Sequence, residues 1–102
     1  MKLPGNMNQM MQQAQQLQAK LMQEIAAIRV ETTAGGGMVT VKMDGEKNLL
    51  AIKIDPEVAG DVEMIQDMVL AAHSEAVKRV GEETKRISSG MLGGMGLPPG
   101  LI

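Results

Sequence analysis

Four basic residues near the end of a predicted helix are the strongest candidates for a binding site in this chain. Lys78 and Lys85 are seven residues apart, as are Arg79 and Arg86, so each pair returns to nearly the same side of a helix. Ammonium and guanidinium groups in such a double row can contact successive phosphates of a duplex backbone. The spacing therefore predicts a phosphate-binding surface on this helix.

The same residues also fit an ordinary solvated helix end, in which charged side chains pair with one another. Glu82 lies four residues from both Lys78 and Arg86, and Glu83 lies four residues from Arg79. Opposite charges three or four residues apart attract each other across one helical turn. The residue pattern leaves both interpretations open.

Two further basic residues, Lys20 and Arg29, accompany the first predicted helix. Lys20 is next to the apolar position Leu21, and Arg29 lies where the helix is expected to end. Both can extend the same cationic surface, so both are candidate phosphate contacts. The alternative for each is an isolated basic side chain that lies along an apolar surface with its charged end in water.

The chain lacks the cysteine, aromatic and clustered histidine residues that catalytic sites often use. The chain contains no Cys, Phe, Trp or Tyr and a single histidine, His73. Its glycine run at 35–37 lacks the following Lys-Ser/Thr of a phosphate-binding loop. We therefore predict no catalytic residue, no metal, no cofactor and no small-molecule substrate. Because unpaired bases stack on aromatic side chains, recognition of single strands by stacking is disfavoured.

The composition is that of one small domain with an acidic balance. Its 102 residues carry 10 Lys and Arg against 12 Asp and Glu, for a formal net charge of −2. Nucleic-acid-binding domains are usually basic overall, so only a local cationic patch favours that function here. With no cysteine, no signal peptide and no apolar run near the roughly 20 residues of a membrane span, we expect a cytoplasmic protein without membrane contact.

Hydrophobic periodicity predicts the order helix, three strands, helix and tail, which is an α+β fold with a three-stranded antiparallel sheet. The predicted helices are 7–28 and 62–87, the second capped by Asp61, and the predicted strands are 29–33, 38–43 and 48–54. We expect a single domain at residues 1–87, followed by an irregular Gly-, Met- and Pro-rich tail at residues 88–102.

The first predicted helix carries an apolar seam with coiled-coil spacing. Its positions are Met7, Met10, Ala14, Leu17, Leu21 and Ile28. Periodic apolar residues favour burial in a core or a dimer seam. Methionine is also adaptable at protein-binding surfaces, so Met7, Met10, Met11 and Met22 leave open a surface for a protein partner.

The pairing of the second and third strands depends on the loop between them. A two-residue Asp-Gly turn would place two lysines opposite each other, which is unfavourable. A four-residue loop at 44–47 instead pairs Val41 with Leu50 and Val39 with Ile52. We therefore predict the longer loop, with Leu50 and Ile52 in the core.

Three short strands leave sheet edges open, and apolar residues such as Leu49 and Ala51 alternate with those expected in the core. Pairing of two sheets would cover the edges and the second apolar face together. The pattern therefore predicts a homodimer.

The chain resembles the YbaB/EbfC family of small bacterial nucleoid-associated proteins. The resemblance follows one order along nearly the whole chain and is carried by residues 13–18, 31–41, 52–56 (Ile-Lys-Ile-Asp-Pro), 67–76 with Lys78 and Arg79, 90–91 and 97–100 (Leu-Pro-Pro-Gly). His73 departs from the apolar or aromatic residue expected there, and residues 94–96 lengthen the tail.

The resemblance implies an α-β-β-β-α subunit and a homodimer formed through the sheets, from which paired helices project like tweezers. It also implies binding to duplex DNA in the cytoplasmic nucleoid with little sequence specificity, and an influence on nucleoid organisation and gene expression. The alternative function is a protein-interaction adaptor that uses the Met-rich seam and the Leu-Pro-Pro-Gly tail. The acidic pI near 5.3 fits this adaptor better.

Overall fold

The computed structural model describes residues 5–93 and has the predicted α-β-β-β-α order. Its helices are α1 (Gly5–Ala26) and α2 (Val62–Gly93), and its strands are β1 (Arg29–Ala34), β2 (Val39–Asp44) and β3 (Leu49–Ile54). The strands form one antiparallel sheet in the order β1-β2-β3. The α+β class and the three-stranded sheet are therefore confirmed.

The core lies between α2 and the first two strands. The inward residues of β2, which are Val39, Val41 and Met43, are completely buried. They meet a buried stripe of α2 made of Met68, Ala72, Ala76 and Val80. The two alanines recur one helical turn apart, and their small side chains let the helix backbone approach the sheet closely. Aliphatic side chains and methionines thus fill the core without any aromatic ring.

A buried hydrogen bond joins β1 to α2. The hydroxyl of Thr32 donates to the backbone carbonyl of Ala72 with an oxygen–oxygen distance of 2.6 Å. Thr32 is the one buried polar residue among those that the structure describes. Because a buried hydroxyl is costly without a partner, this bond favours one position of α2 along the strand.

Three glycines make the turn between β1 and β2. Gly35, Gly36 and Gly37 have φ angles of 64°, 67° and 95°, a region that residues with a side chain rarely adopt. A Cβ atom on Gly35 would overlap the sulfur of Met68. Gly35 therefore serves both the turn and the close approach of α2.

The predicted register of β2 and β3 is wrong by two residues. Val41 pairs with Ile52 and Val39 pairs with Ile54, and the ladder is irregular at residues 42–43, where Leu50 has no partner. The loop at 45–48 sets this offset, because the Asp44 carboxylate accepts hydrogen bonds from three nitrogen atoms. These are the backbone nitrogens of Glu46 and Asn48, both at 2.9 Å, and the side-chain nitrogen of Asn48 at 3.2 Å.

All six residues of β3 are exposed, so the prediction that Leu50 and Ile52 lie in the core is wrong for the single chain. Leu50 is 49% exposed and Ile52 is 47% exposed. Ile52 and Ile54 share a face with their buried partners on β2, but α2 packs chiefly over β1 and β2. This third strand therefore presents an uncovered apolar surface.

The first helix is attached to the rest of the chain only along its C-terminal half. Leu17, Leu21 and Ile25 are half-buried where α1 packs against α2, and Ile28 is buried just beyond the helix. Residues 6–16 are all exposed, including the seam position Met10 at 66%. The seam is therefore covered at one end and open at the other, along a molecule that is 72 Å long.

The second helix begins where predicted and ends later than predicted. The Asp61 carboxylate accepts a hydrogen bond from the backbone N–H of Met64 at 3.1 Å, which confirms the helix cap. The prediction that residues 88–93 are irregular is wrong, because α2 continues to Gly93. Half-buried Ile87 and Met91 give this extension packing that outweighs the low helix propensity of its glycines.

Residues 94–102 of the predicted tail lie outside the described residues, and the division at residue 87 stays a prediction. Within residues 5–93, neither helix has a stretch apolar enough and long enough to cross a bilayer.

We predict opposite stability changes from two glycine-to-alanine substitutions. A Cβ on Gly45 would overlap the backbone oxygen of Ile25, so Gly45→Ala should force α1 and the loop apart and lower the free energy of unfolding by about 1–3 kcal/mol. Gly81 lies in α2 with open space around it, so Gly81→Ala should raise that free energy by about 1 kcal/mol. Urea unfolding followed by circular dichroism measures both, and an unchanged Gly45→Ala variant would contradict the close approach.

Candidate functional site

A groove of about 890 Å³ lies where the end of α1, the start of β1 and the middle of α2 meet. Its charged lining consists of Arg29, Arg79 and Arg86 together with Glu24, Glu31, Glu82 and Glu83. Only two residues separate the end of α1 from the start of β1. Because α2 packs across the sheet, its residues Arg79 and Arg86 lie next to this junction. Three arginines against four glutamates give the groove a formal charge of −1.

Arg29 is held by one backbone carbonyl at the end of α1 and one just beyond it. Its Nη1 donates to the oxygen atoms of Ala26 at 2.9 Å and Ile28 at 2.8 Å. Carbonyls in the last turn of a helix have no partner within the helix and carry partial negative charge, so a guanidinium stabilises them. Arg29 therefore caps α1 and contributes its positive charge to the groove at the same time.

Arg79 connects α2 to β1 and also pairs with a glutamate on its own helix. Its Nη1 donates to the backbone oxygen of Glu31 at 3.4 Å, and its Nε lies 3.7 Å from Oε1 of Glu75. Both distances are long, and both charged side chains are about half exposed. An exposed pair of this kind is weak, so the Arg79 side chain can exchange partners at little cost.

Arg86 makes the tightest ion pair in the groove. Its Nη2 donates to Oε2 of Glu83 at 2.6 Å, although the arginine side chain is 71% exposed. The hydrogen bond from Arg86 holds the pKa of Glu83 below its ordinary value, and the same bond raises the pKa of Arg86. Both groups are therefore ionised at neutral pH.

The structure brings together three of the six candidate residues. Arg29, Arg79 and Arg86 line the groove, whereas Lys20, Lys78 and Lys85 are exposed and lie outside its lining. Along residues 5–93 the ion pairs are Lys42–Glu31, Arg79–Glu75 and Arg86–Glu83, and none includes these three lysines. The double row therefore divides into arginines turned toward β1 and lysines open to solvent.

The glutamates in these pairs differ from those that the helix spacing suggested. The prediction that Glu82 pairs with Arg86 and Glu83 with Arg79 is wrong, because Arg79 pairs with Glu75 and Arg86 pairs with Glu83. Glu75 was missed, although its four-residue spacing from Arg79 is a sequence signal for such a pair. In the part of the chain that the structure describes, no group of three or more potential metal ligands converges.

The sequence model of the YbaB/EbfC DNA-binding family matches residues 2–95. The chain belongs to this family. A nucleoid-associated protein of Koribacter versatilis is 55% identical over 95 residues, which cover 91% of this chain and 94% of the relative. A nucleoid-associated protein of Xanthomonas axonopodis is 41% identical over 100 residues, covering 95% and 94% of the two chains.

A solved structure shares the YbaB/EbfC fold seen here. The crystal structure of an uncharacterized protein from Helicobacter pylori superimposes with a TM-score of 0.74, covering 89% of this chain and 99% of that one. Its sequence is 23% identical, so this likeness concerns the fold alone.

We predict that the pKa of Glu83 depends on Arg86. In Arg86→Gln the main cause of the lowering is gone, so the pKa of Glu83 should rise toward its ordinary value. In the unaltered chain the pair's contribution to stability is present above the ordinary glutamate pKa and is lost as pH falls through the lowered one. Carbon NMR shifts of the carboxyl groups, followed against pH, measure this change.

Asp44 provides the internal control for that titration. Its pKa is lowered chiefly by the backbone hydrogen bond from Asn48, far from Arg86 in the sequence, and should stay low in the variant. If Glu83 already titrates at its ordinary value in the unaltered chain, the hydrogen bond to Arg86 does not persist in solution.

Proposed function

We propose that this protein is a nucleoid-associated protein of the cytoplasm that binds duplex DNA as a homodimer with little sequence specificity. Membership of the YbaB/EbfC DNA-binding family, together with relatives of 40–55% identity that are named nucleoid-associated proteins, carries the proposal. Binding of this kind would act on nucleoid organisation and, through it, on gene expression.

The geometry of α2 supports binding to the phosphate backbone. Residues seven apart on a helix are separated by about 10 Å, so Lys78 with Lys85 and Arg79 with Arg86 can reach phosphates a few nucleotides apart. Phosphate contacts orient a protein on DNA but carry no sequence information directly. Without Phe, Trp or Tyr, the chain also lacks the aromatic side chains on which bases most often stack.

The acidic net charge makes the position of the basic residues decisive. A chain with a formal charge of −2 has no long-range attraction for DNA, so binding has to come from the local cations of α2 and the groove. Each phosphate contact releases counterions from the duplex. The affinity of this protein for DNA should therefore fall steeply as salt rises.

The exposed apolar residues of β3 support the homodimer. Leu49, Leu50, Ile52 and Ile54 are each at least 40% exposed on an edge strand that α2 does not cover. Edges with unpaired backbone groups and apolar side chains are normally covered in native proteins. A second copy of the chain would cover both and would place two sets of basic residues on one particle.

A protein-interaction adaptor is the second candidate function, and one observation favours it. Met7, Met10, Met11 and Met22 of α1 are all exposed, which leaves a flexible apolar surface for a partner helix. The Leu-Pro-Pro-Gly segment of the same hypothesis lies outside the described residues.

We predict that Ile52→Asp converts a dimer into a monomer. A carboxylate at this position would be desolvated at the proposed interface but is tolerated in the single chain, where Ile52 is exposed. Sedimentation equilibrium should give twice the 10.9 kDa chain mass for the unaltered protein and a lower mass for the variant. Thr33→Asp, which places the same charge at an exposed position on β1, is the control, and an unchanged dimer in Ile52→Asp would exclude β3 as the interface.

We predict that replacing Lys78, Arg79, Lys85 and Arg86 together by Gln weakens duplex binding without dissociating the dimer. Gln keeps nearly the same helix propensity, and each lost phosphate contact should lower the slope of log K against log salt by about 0.9. Fluorescence anisotropy with two unrelated duplexes at several salt concentrations measures this slope.

The control for the quadruple variant changes Lys47 and Lys53 to Gln, because these lysines lie on the β2–β3 loop and on β3 rather than on α2. An unchanged slope in the quadruple variant would exclude this cluster and leave Lys20 and Arg29 as the candidate contacts. Loss of binding to one duplex only would contradict recognition through phosphates.

A further inference from the structure

Both arginines that α2 contributes to the groove are already bound by glutamates of the same helix. Nε of Arg79 lies 3.7 Å from Oε1 of Glu75, and Nη2 of Arg86 lies 2.6 Å from Oε2 of Glu83. Each glutamate precedes its arginine by about one helical turn. The helix therefore supplies each groove arginine with its own carboxylate.

A carboxylate and a phosphate compete for the same face of a guanidinium. Both anions bind through the fork of N–H groups, so a carboxylate that holds one nitrogen of the fork prevents bidentate binding of a phosphate through that nitrogen. A phosphate that uses Nη2 of Arg86 must displace Glu83, and one that uses the other nitrogens binds beside the glutamate's negative charge. The glutamate thus opposes DNA binding both by occupying the arginine and by repelling the phosphate.

These pairs are not required for the fold. Both lie on the surface with side chains that are 41–71% exposed, and exposed ion pairs contribute little to folding stability. The position of Arg79 is also supported by its hydrogen bond to the Glu31 backbone, which needs no glutamate side chain. Changing the glutamates to Gln should therefore leave α2 and the groove in place.

We infer that Glu75 and Glu83 limit the affinity of this protein for duplex DNA by competing with phosphate for Arg79 and Arg86. This inference rests on the proposed function and goes beyond it, because it assigns two acidic residues a role in setting the strength of binding. Lys78 and Lys85, which make no ion pair within residues 5–93, provide contacts that this competition does not affect.

The first test compares the Glu75→Gln/Glu83→Gln double variant with the unaltered protein by fluorescence anisotropy on one duplex at constant salt. Each released arginine should increase the affinity about twofold to fivefold, which is the range expected for freeing one exposed ion pair. The control is Glu46→Gln/Glu63→Gln, which makes the same change in net charge at two exposed glutamates outside the groove lining. An increase no larger than that of the control would overturn the inference.

The second test asks whether Glu83 acts through Arg86. The affinity change caused by Glu83→Gln is measured alone and again in the Arg86→Gln background, as a double-mutant cycle. If the carboxylate competes for the guanidinium, most of the gain should disappear when Arg86 is gone. A full gain in the Arg86→Gln background would overturn the inference, because the carboxylate would then act by general repulsion.

Measurements on the unaltered protein distinguish a failure of the proposed function from a failure of this inference. If it binds duplex DNA and the glutamate variants bind no more tightly, competition is excluded and the proposed function stands. If neither the unaltered protein nor the glutamate variants bind at low salt, the proposed function and this inference both fail. Circular dichroism of each variant confirms that α2 is intact.

Discussion

The packing of α2 across β1 and β2 is the contact on which the other features of this protein depend. A helix with its side chains is about 10–12 Å wide, and neighbouring strands are about 4.8 Å apart, so one helix covers two strands. The buried alanines of α2 and the Thr32 hydrogen bond place that coverage over β1 and β2. The third strand is left open because α1, the other helix within residues 5–93, packs against α2 and not over β3.

This one placement produces two surfaces with different chemistry. On the β3 side, Ile52 and Ile54 extend the apolar face of the sheet beyond the helix, which is a surface suited to a second copy of the chain. On the β1 side, the same helix carries Arg79 and Arg86 to the junction of α1 and β1. The proposed self-association and the proposed phosphate binding are therefore compatible, since they use opposite sides of α2.

The charge distribution has a consequence for a protein that acts on a long polyanion. A strongly basic groove would bind any duplex tightly and release it slowly, whereas arginines with their own glutamates form contacts that are individually weak and easily exchanged. The surface of α2 combines both kinds of cation, since its lysines are open and its groove arginines are paired. Affinity in such a system depends on how many cations reach phosphate at once, which dimerisation would double.

The sequence by itself determined the order of elements, the family and the identity of the basic residues, because these depend on local periodicity, turn chemistry and residue type. Asp61 and the glycines at 35–37 acted as the helix cap and the turn that their chemistry predicts. The register of β3 could not be predicted from the alternation of apolar residues. It depends on the loop, which the Asp44 carboxylate organises by accepting hydrogen bonds from Glu46 and Asn48.

Only the tertiary structure decided which residues are covered and which charges meet. Val41 and Ile52 have the same character in the sequence, but one is buried and the other is exposed because α2 spans two strands and not three. Arg29 and Arg79 are 50 positions apart, and they share a groove because β1 begins beneath α2. Burial and long-range charge pairing depend on the relative positions of the packed helix and strands, which local sequence patterns do not specify.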